Sequence, residues 1–322
     1  MHYATKSMLL DAVRNLPRTI YNLIGASRVS PYEMQLSLVR NMVLSMAQED
    51  RGSYIPERKF VLDVPLDKLN EIMFPYEVKP EFKGWLQKCD IQIGREGELP
   101  YVMHDSEMKV YYPASTSDGE LMESYRNLMY VEGITGAGVL EKSPHCYQDA
   151  EFRVEHGDCL LDIGCAEALF ALDNIDKVRK AFLFEFEPFW QRPLKHTFQP
   201  YSDKVQIVRK MVSDHTSKTT TRIMDAIDGD MGDMYRCRKF FVKMDVEGCE
   251  RMIIKGNEDF FKDNKVKLSC CVYHRQDDGV VIKDMLEHLG YTTRYSDGYM
   301  LVGMNGIHFP YFRHGVIYAQ NY

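Results

Sequence analysis

The sequence has no uninterrupted apolar run of the ~18 residues that a membrane-spanning helix requires. Its first residues, M-H-Y-A-T-K-S-M-L-L-D-A-V, also lack the continuous apolar core and the small-residue cleavage site of a secretory signal. We therefore expect a cytoplasmic protein with no integral membrane segment.

Basic residues are not in surplus, because 40 lysines and arginines face 47 aspartates and glutamates, for a net charge of −7. Binding to nucleic-acid phosphates needs positive charge concentrated on one face, so we expect no nucleic-acid partner. The eight cysteines form no C-x-x-C pair, and several lie in apolar runs such as L-S-C-C-V-Y. This pattern is typical of reduced core residues. Nothing in the sequence distinguishes a monomer from a homo-oligomer.

The 322 residues, 45% of them hydrophobic, are enough for one large or two ordinary globular domains. Residues 1–140 mix helical patterns at 9–24, 32–48 and 66–74 with a hairpin pattern at 100–113 and a capped helical pattern at 117–131. We predict an α+β accessory region there, which covers the site and shapes the acceptor pocket. In residues 141–322, seven strand patterns alternate with helices. This rhythm predicts an α/β, Rossmann-like domain with a doubly wound, mostly parallel sheet, whose functional residues lie at the carboxyl ends of the strands.

The first strand of this domain runs into a sharp turn, C-L-L-D-I-G-C-A-E-A-L-F, from 159 to 170. Gly164 stands where a strand must reverse into a helix, and the start of a helix directs free N–H groups and a positive dipole end at whatever binds there. The turn is typical of a nucleotide-cofactor site, although the same pattern also occurs in ordinary α/β packing.

An acidic residue ends the second strand, A-F-L-F-E-F-E-P, in which Pro188 stops the strand. A carboxylate at this place can accept hydrogen bonds from both hydroxyls of a ribose, as in dinucleotide-binding folds. Glu185 and Glu187 lie on the same side of the strand, and Glu187 is the better candidate because it is nearer to the end. The alternative is a solvated strand end.

Ionisable residues cluster at the ends of the fourth and fifth strands. The run K-F-F-V-K-M-D-V-E-G-C-E places Lys243, Asp245 and Glu247 on one side of an apolar strand. This pattern predicts a chemical centre or, alternatively, a structural ion pair that orders the loop. His274 ends the fifth strand and suits the removal of a proton from a hydroxyl near neutral pH. Asp245 or His274 is therefore the candidate base.

Two aspartates, Asp277 and Asp278, come just after His274. Together with Asp245 they could hold a Mg²⁺ ion that binds two neighbouring hydroxyls of an acceptor, because Mg²⁺ prefers oxygen ligands. The alternative is a helix cap or a solvated turn, which is the commoner role of such a pair. The sequence therefore assigns no metal ligand outright.

The order of D-I-G-C-A-E, F-E-F-E-P, V-S-D and K-M-D-V-E-G-C-E resembles the FkbM family of S-adenosylmethionine-dependent methyltransferases. The resemblance covers residues 140–322, and its most specific piece, Lys243 to Glu250, is similar to the block I-K-x-D-V-E-G-x-E. It implies a class I methyltransferase fold and an O-methyltransferase acting on a hydroxyl of a sugar, glycan or related small metabolite. The implied cofactor contacts are Asp162, Gly164 and the neighbouring Ala166 at the methionine moiety, Glu187 at the ribose, and Ser213 and Asp214 near the adenine. The residues implied to face the methyl group and the acceptor are Asp245, Glu247 and Lys243.

Ala166 and Ala168 stand where the family and many methyltransferases have glycine, so two methyl groups could narrow the space beside the cofactor. This departure supports a second hypothesis, a methyltransferase-like binding or scaffold protein that has lost turnover. A nicotinamide-dependent oxidoreductase is a third alternative, but the chain lacks a full glycine fingerprint for a dinucleotide.

Overall fold

The computed structural model describes residues 72–73, 91–104, 107–132, 143–227, 239–301 and 312–322. The helices predicted at 9–24 and 32–48 lie outside these residues. The prediction of a helix at 66–74 is wrong at Ile72–Met73. These two residues form a short strand (β1), because residues 299–300, which are distant in the sequence, pair with their backbone. Within the described ranges, no helix combines the length and apolarity needed to cross a bilayer.

The accessory region contains the hairpin and the helix that the sequence predicts. Strands Ile93–Glu96 (β2), Leu99–His104 (β3) and Met108–Tyr111 (β4) form an antiparallel sheet, which helix Asp118–Glu132 (α1) follows. Ser117 begins this helix as a capping box: its N–H donates to Glu120 Oε2 at 2.8 Å, and the Glu120 N–H donates to Ser117 Oγ at 3.3 Å. The two bonds satisfy backbone donors that have no partner inside a helix.

A seven-stranded sheet forms the centre of the chain from residue 159 onward. Its strands are Cys159–Ile163 (β5), Lys180–Phe184 (β6), Val205–Val208 (β7), Lys239–Met244 (β10), Lys265–Cys271 (β11), Thr292–Tyr295 (β12) and Val316–Gln320 (β15). The short strands Met211–Val212 (β8), Thr220–Thr221 (β9), Tyr299–Leu301 (β13) and Phe312–Arg313 (β14) lie outside this sheet. The spatial order is β12-β15-β11-β10-β5-β6-β7, and β15 alone runs antiparallel to its neighbours. The fold is therefore the predicted α/β Rossmann-like fold of the class I methyltransferase type.

Within the described residues, six α-helices connect or flank these strands. They are Leu169–Asp173 (α2), Gln191–Thr197 (α3), Ile223–Ile227 (α4), Glu250–Gly256 (α5), Glu258–Asp263 (α6) and Asp278–His288 (α7). The single helix that the sequence indicates at 250–261 is divided at Asn257, whose φ of −127° is not helical. The Asn257 side chain also donates to the carbonyl of Ser213 at 3.0 Å, so this break ties the helix pair to the loop after β8.

The two faces of the sheet bury separate hydrophobic clusters because successive strand residues point to opposite sides. Leu160 and Phe241 belong to one cluster, which also includes Val102, Leu121 and Tyr125 of the accessory region. A second cluster occupies the other face. The accessory region and the sheet thus share one core. The boundary predicted near residue 140 lies between described ranges and stays a prediction.

The crevice for a ligand is set by the order in which the strands are laid down. The chain moves outward from β5 to β6 and β7, and then crosses to β10 on the other side of β5. In open α/β sheets, ligands bind at the carboxyl ends of the strands where this reversal occurs. The residues that follow β5 and β10 therefore lie at the point where such a fold binds its ligand.

The cysteines agree with the predicted reduced state at most described positions. Cys146, Cys165, Cys270 and Cys271 are buried thiols, and Cys249 is an exposed thiol. Cys159, the first residue of β5, is disulfide-bonded. The prediction of a fully reduced set is therefore wrong at this residue.

His314 gives the fold a testable dependence on pH. Its ring stacks on Tyr295 with centroids 3.9 Å apart, and burial lowers its pKa to about 4. The ordinary pKa of histidine is about 6.5. Between about pH 4 and pH 6.5, His314 is therefore protonated in the unfolded chain and neutral in the folded protein. This contribution to stability is present above about pH 6.5 and is lost as the pH falls towards 4.

We expect the wild type to lose about 2 kcal/mol more unfolding free energy than His314→Phe when the pH falls from 7 to 5. Phenylalanine keeps a ring against Tyr295 but does not titrate. Urea unfolding of both proteins at the two pH values measures the difference. If the unfolding free energy of both proteins falls by the same amount between pH 7 and pH 5, His314 does not have this role.

Candidate active site

The turn after β5 is held in place by a close backbone approach. Gly164 has a φ of 73°, a conformation that glycine adopts without strain. A Cβ placed on Gly164 would lie 2.0 Å from the carbonyl oxygen of Asp245. The glycine therefore lets the turn after β5 touch the turn after β10, which brings the predicted cofactor turn and the predicted chemical centre together.

Lys243 lies beneath this turn, in a cross-strand pair with Asp162. Its Nζ is 3.2 Å from Asp162 Oδ1 and donates to the carbonyl of Gly164 at 2.7 Å. Burial opposes the charge on Lys243, but the charges of Asp162 and Asp245 outweigh it and raise the lysine pKa above its ordinary value. Lys243 and Asp162 thus form a buried ion pair that supports the turn after β5. The role of Lys243 opposite the methyl group and the acceptor stays a prediction.

Ala166 and Ala168 keep the backbone conformation that glycine would have at these positions. Their φ angles are 46° and 58°, in the left-handed region that costs an alanine about 1 kcal/mol. Ala168 is buried in the hydrophobic core, so its methyl group packs inside the protein. Only Ala166, which is half-buried, keeps its methyl group near the crevice.

Ala166→Gly is expected to stabilise the protein by about 0.5 kcal/mol, because relief of the left-handed strain slightly exceeds the entropy that glycine adds to the unfolded chain. The matched control is Ala171→Gly in helix α2, which should destabilise the protein by about 1 kcal/mol. Urea midpoints of the two variants check the opposite signs. Equal losses in both would show that the turn carries no strain.

Glu185 and Glu187 have different environments at the end of β6. The Glu185 carboxylate accepts the N–H of Ala166 at 3.0 Å and the N–H of Glu187 at 2.8 Å, so both of its oxygens are used to shape the two turns. Glu187 is half-buried, and its carboxylate accepts none of the hydrogen bonds found in the described part of the chain. The ribose role of Glu187 stays a prediction, and Glu185 emerges as the residue that positions the loop.

Asp245 is the centre of a group of polar side chains. Tyr147 donates its hydroxyl to Asp245 Oδ2 at 2.7 Å, and His145 Nε2 lies 3.7 Å from the same oxygen. His274 Nε2 lies 3.4 Å from the other oxygen. Burial opposes ionisation of Asp245, but the interaction with His145 and the charges of Lys243 and His274 hold its pKa well below the usual range.

His274 lies between Asp245 and a second buried carboxylate. Its Nδ1 is 2.9 Å from Oε1 of Glu250, which also accepts the N–H of Val246 at 3.1 Å. Burial lowers the pKa of His274, but Glu250 and Asp245 outweigh it and the net shift is upward. An imidazole oriented by one carboxylate and facing another at a strand end is an arrangement suited to moving a proton.

Glu247 extends this group toward solvent. Its carboxylate lies 3.5 Å from His274 Nε2, although 76% of its side chain is exposed. The left-handed φ of 52° at Glu247 directs the chain through the turn, and Gly248 continues it with a φ of 94°. Strain of this kind tends to occur at functional sites. Glu247 is thus the solvent-exposed member of the group.

The proposed magnesium ligands Asp277 and Asp278 are engaged elsewhere. Arg251 bonds to Asp277 Oδ1 at 2.5 Å and to Asp278 Oδ1 at 2.6 Å. Asp278 also accepts the N–H of Arg275 at 2.7 Å, so the pair anchors the start of α7 to the loop before it. The magnesium set of Asp245 with these two residues is not supported, because their charges are already neutralised by an arginine.

Ser213 and Asp214 follow the short strand β8, since β7 already ends at Val208. The Ser213 N–H donates to the carbonyl of Thr221, and Asp214 pairs with His215 at 2.6 Å. These bonds hold the segment against its neighbours but do not reach the Gly164 turn in the described part of the chain. Their adenine role stays a prediction.

Several residues of the site could not be selected from the sequence. Glu250 lies inside the quoted block but had no signal beyond its place there. His145, Tyr147 and Cys271 are brought to Asp245 only by the tertiary fold, and their sequence separations of up to 126 residues carry no pattern.

The likenesses of this chain to known proteins are structural and weak. Neither protein-family models nor curated proteins give a match by sequence. Among solved structures, the methyltransferase FkbM from Methylobacillus flagellatus KT is 17% identical with a TM-score of 0.42, over 63% of this chain and 55% of that chain. Precorrin-6y C5,15-methyltransferase from Geobacter metallireducens GS-15 is 16% identical with a TM-score of 0.34, over 53% and 85%. TYW2 of M. jannaschii, in complex with AdoMet, is 12% identical with a TM-score of 0.35, over 71% and 85%.

The chain thus spans about half the length of the FkbM structure. Likenesses at these identities and TM-scores carry no conclusion about this chain. The strand order and the polar crevice define an α/β protein of the class I methyltransferase type. Membership of the FkbM family stays a prediction from the motifs.

Proposed function

We propose that this protein is an S-adenosylmethionine-dependent O-methyltransferase whose acceptor is a hydroxyl of a sugar, glycan or related small metabolite. The observation that carries the proposal is the contact between Gly164 and the backbone of Asp245. It unites a cofactor-type turn and a proton-handling cluster in one crevice at the reversal point of the sheet. The motif resemblance supplies the type of cofactor.

The charges around the turn suit this cofactor. The buried cation Lys243 interacts with more than one carboxylate, among them those of Asp162, Asp245 and Glu132. The surplus of negative charge favours a ligand that carries positive charge, and S-adenosylmethionine has a sulfonium and an ammonium group. Ala166, Gly164 and Glu187 would hold it at the turn and at the end of β6.

S-adenosylmethionine, when bound, supplies a methyl group on a sulfonium that is already an activated leaving group. The chain's own residues then have two tasks, which are to hold the acceptor oxygen in line at about 3 Å and to receive its proton. Asp245 and His274 are proposed for the second task because they adjoin the turn. Glu247 would contact the acceptor from the exposed side.

The acceptor class rests on the motif resemblance and on charge. An acidic chain does not attract a polyanion, so a neutral or cationic small molecule or glycan is proposed. The experiment is calorimetric titration of the pure protein with S-adenosylmethionine, followed by incubation with the methyl-labelled cofactor, a panel of sugars and extracts of its host. Nicotinamide dinucleotides serve as the binding control.

The proposal is supported if S-adenosylmethionine binds saturably and the dinucleotides do not bind. It also requires that the transferred label is found in an alkali-stable methyl ether. Binding without transfer to any acceptor would favour the binding or scaffold protein. No binding at millimolar cofactor would end the methyltransferase proposal, and label on nitrogen or carbon would end the O-methyl assignment.

A further inference from the structure

Three side chains of different chemistry meet on the inner side of Asp245. His145 comes from the segment before β5, Asp245 from the end of β10 and Cys271 from the end of β11. One ligand atom of each lies within 4.8 Å of the other two. His145 and Cys271 are buried, at 6% and 0% exposure. Neither has a role in the proposed methyl transfer.

The distances between these atoms suit a shared metal ion. His145 Nε2 is 3.4 Å from Cys271 Sγ and 3.7 Å from Asp245 Oδ2. Ligand atoms at the normal bond lengths of a tetrahedral Zn²⁺ ion are about 3.3–3.6 Å apart. Charge-assisted hydrogen bonds would be shorter, at about 2.7–2.9 Å. The group is therefore spaced more like a coordination shell than like a set of ion pairs.

The Tyr147 hydroxyl borders this group as a hydrogen-bond donor. Its oxygen lies 2.7 Å from Asp245 Oδ2, 3.3 Å from His145 Nε2 and 3.8 Å from Cys271 Sγ. The distance to Asp245 is that of a hydrogen bond and is too short for two ligands of one Zn²⁺ ion, so Tyr147 orients the Asp245 carboxylate. The fourth position of a tetrahedral shell is left for a water molecule.

Charge balance also suits a divalent cation. A carboxylate, a thiolate and a neutral imidazole carry a total charge of −2, which one Zn²⁺ ion neutralises without leaving a buried net charge. Binding would form the S–Zn bond and release the thiol proton to solvent, with no change of oxidation state.

We propose that His145, Asp245 and Cys271 form a site for Zn²⁺, which links the segment at 143–147 to the ends of β10 and β11. The site shares Asp245 with the proposed methyl transfer: Oδ2 would bind the ion, while Oδ1 keeps facing His274. It goes beyond that reaction and does not depend on it. The other mixed group, Asp245 with Glu250 and His274, is explained without a cation, because Glu250 pairs with His274 and accepts the Val246 N–H.

The test uses the full chain, stripped of metal and then titrated with Co²⁺, which reports thiolate ligands by charge-transfer absorption in the near ultraviolet. The wild type should bind one equivalent with this band and with tetrahedral visible absorption. Cys271→Ser should lose the thiolate band, and His145→Gln should weaken binding at least about tenfold. Cys270→Ser is the matched control, since the neighbouring Cys270 lies in the core on the opposite face of the sheet, and it should behave as the wild type.

A second measurement does not depend on spectra. Zn²⁺ at 100-fold excess over its Kd should raise the Tm of the wild type and of Cys270→Ser by at least about 3 °C, and leave Cys271→Ser unchanged. A thiolate band that survives in Cys271→Ser but disappears in Cys249→Ser would assign the metal to the exposed cysteine and overturn the proposal. So would binding that is lost in His274→Gln and kept in His145→Gln, or no binding at micromolar metal. Transfer of methyl groups is not a readout here, so failure of this site leaves the proposed function untouched.

Discussion

Gly164→Ala is expected to lower the free energy of unfolding by about 3 kcal/mol or more. The left-handed φ of 73° costs an alanine about 1 kcal/mol. The added methyl group would also lie 2.0 Å from the carbonyl oxygen of Asp245, so the turn after β5 and the turn after β10 must separate. Denaturation by urea gives the loss in stability, and calorimetry gives the accompanying loss of cofactor affinity.

The control for this variant is Gly157→Ala. Gly157 has an even larger positive φ of 88°, but no atom lies within 4 Å of an added Cβ. Gly157→Ala should lower the free energy of unfolding only by the cost of alanine in the left-handed conformation, about 1 kcal/mol. The additional loss of unfolding free energy in Gly164→Ala measures the contribution of the close contact between the two turns. If both lose the same stability, the two turns do not pack as described. If Gly164→Ala cannot be obtained as folded protein while Gly157→Ala can, the result agrees with the prediction, because the loss of stability is then larger than about 3 kcal/mol.

Asp245→Asn is expected to reduce methyl transfer at least about 100-fold while cofactor affinity stays within about threefold. Asparagine has nearly the same shape and can still accept the hydroxyl of Tyr147. It removes the negative charge that faces His274, so the pair can no longer receive and stabilise a proton. Single-turnover measurements with labelled cofactor separate the loss of chemistry from a change in binding.

Asp277→Asn provides the matched control for charge loss near this site. Asp277 pairs with Arg251 at the surface, and 53% of its side chain is exposed. Its variant should transfer methyl groups at a rate within about twofold of the wild type, since exposed pairs contribute little. Normal turnover in Asp245→Asn would remove this residue from the proposed chemistry. A large loss in Asp277→Asn would restore the magnesium hypothesis.

The parts of the fold that the sequence predicts are those with a local signal. A continuous, mostly apolar run defines β5 within its observed bounds, and Ser117 with Glu120 marks the start of α1. The helix pattern at 250–261 failed at Asn257 because the side chain bonds to the carbonyl of Ser213, 44 residues away. A contact with a distant segment leaves no periodic trace in the chain.

The same distinction holds within the candidate site. Lys243 and Asp245 could be selected because charges in an apolar strand are costly unless they are used. The sequence could not tell that Lys243 supports the turn through the Gly164 carbonyl, or that Arg251 occupies Asp277 and Asp278. It preferred Glu187 to Glu185 by position alone, and it could not tell that the Glu185 carboxylate shapes the two turns through its hydrogen bonds.

By itself, the sequence determined the order of strands and helices and the turn at Asp162 and Gly164, because both are encoded in neighbouring residues. Only the tertiary structure decided that the turn rests on the Asp245 backbone and that His145, Tyr147 and Cys271 gather around that carboxylate. The physical reason is that a parallel sheet brings the ends of strands far apart in sequence to one edge. Which side chains meet there depends on register and packing across the whole fold.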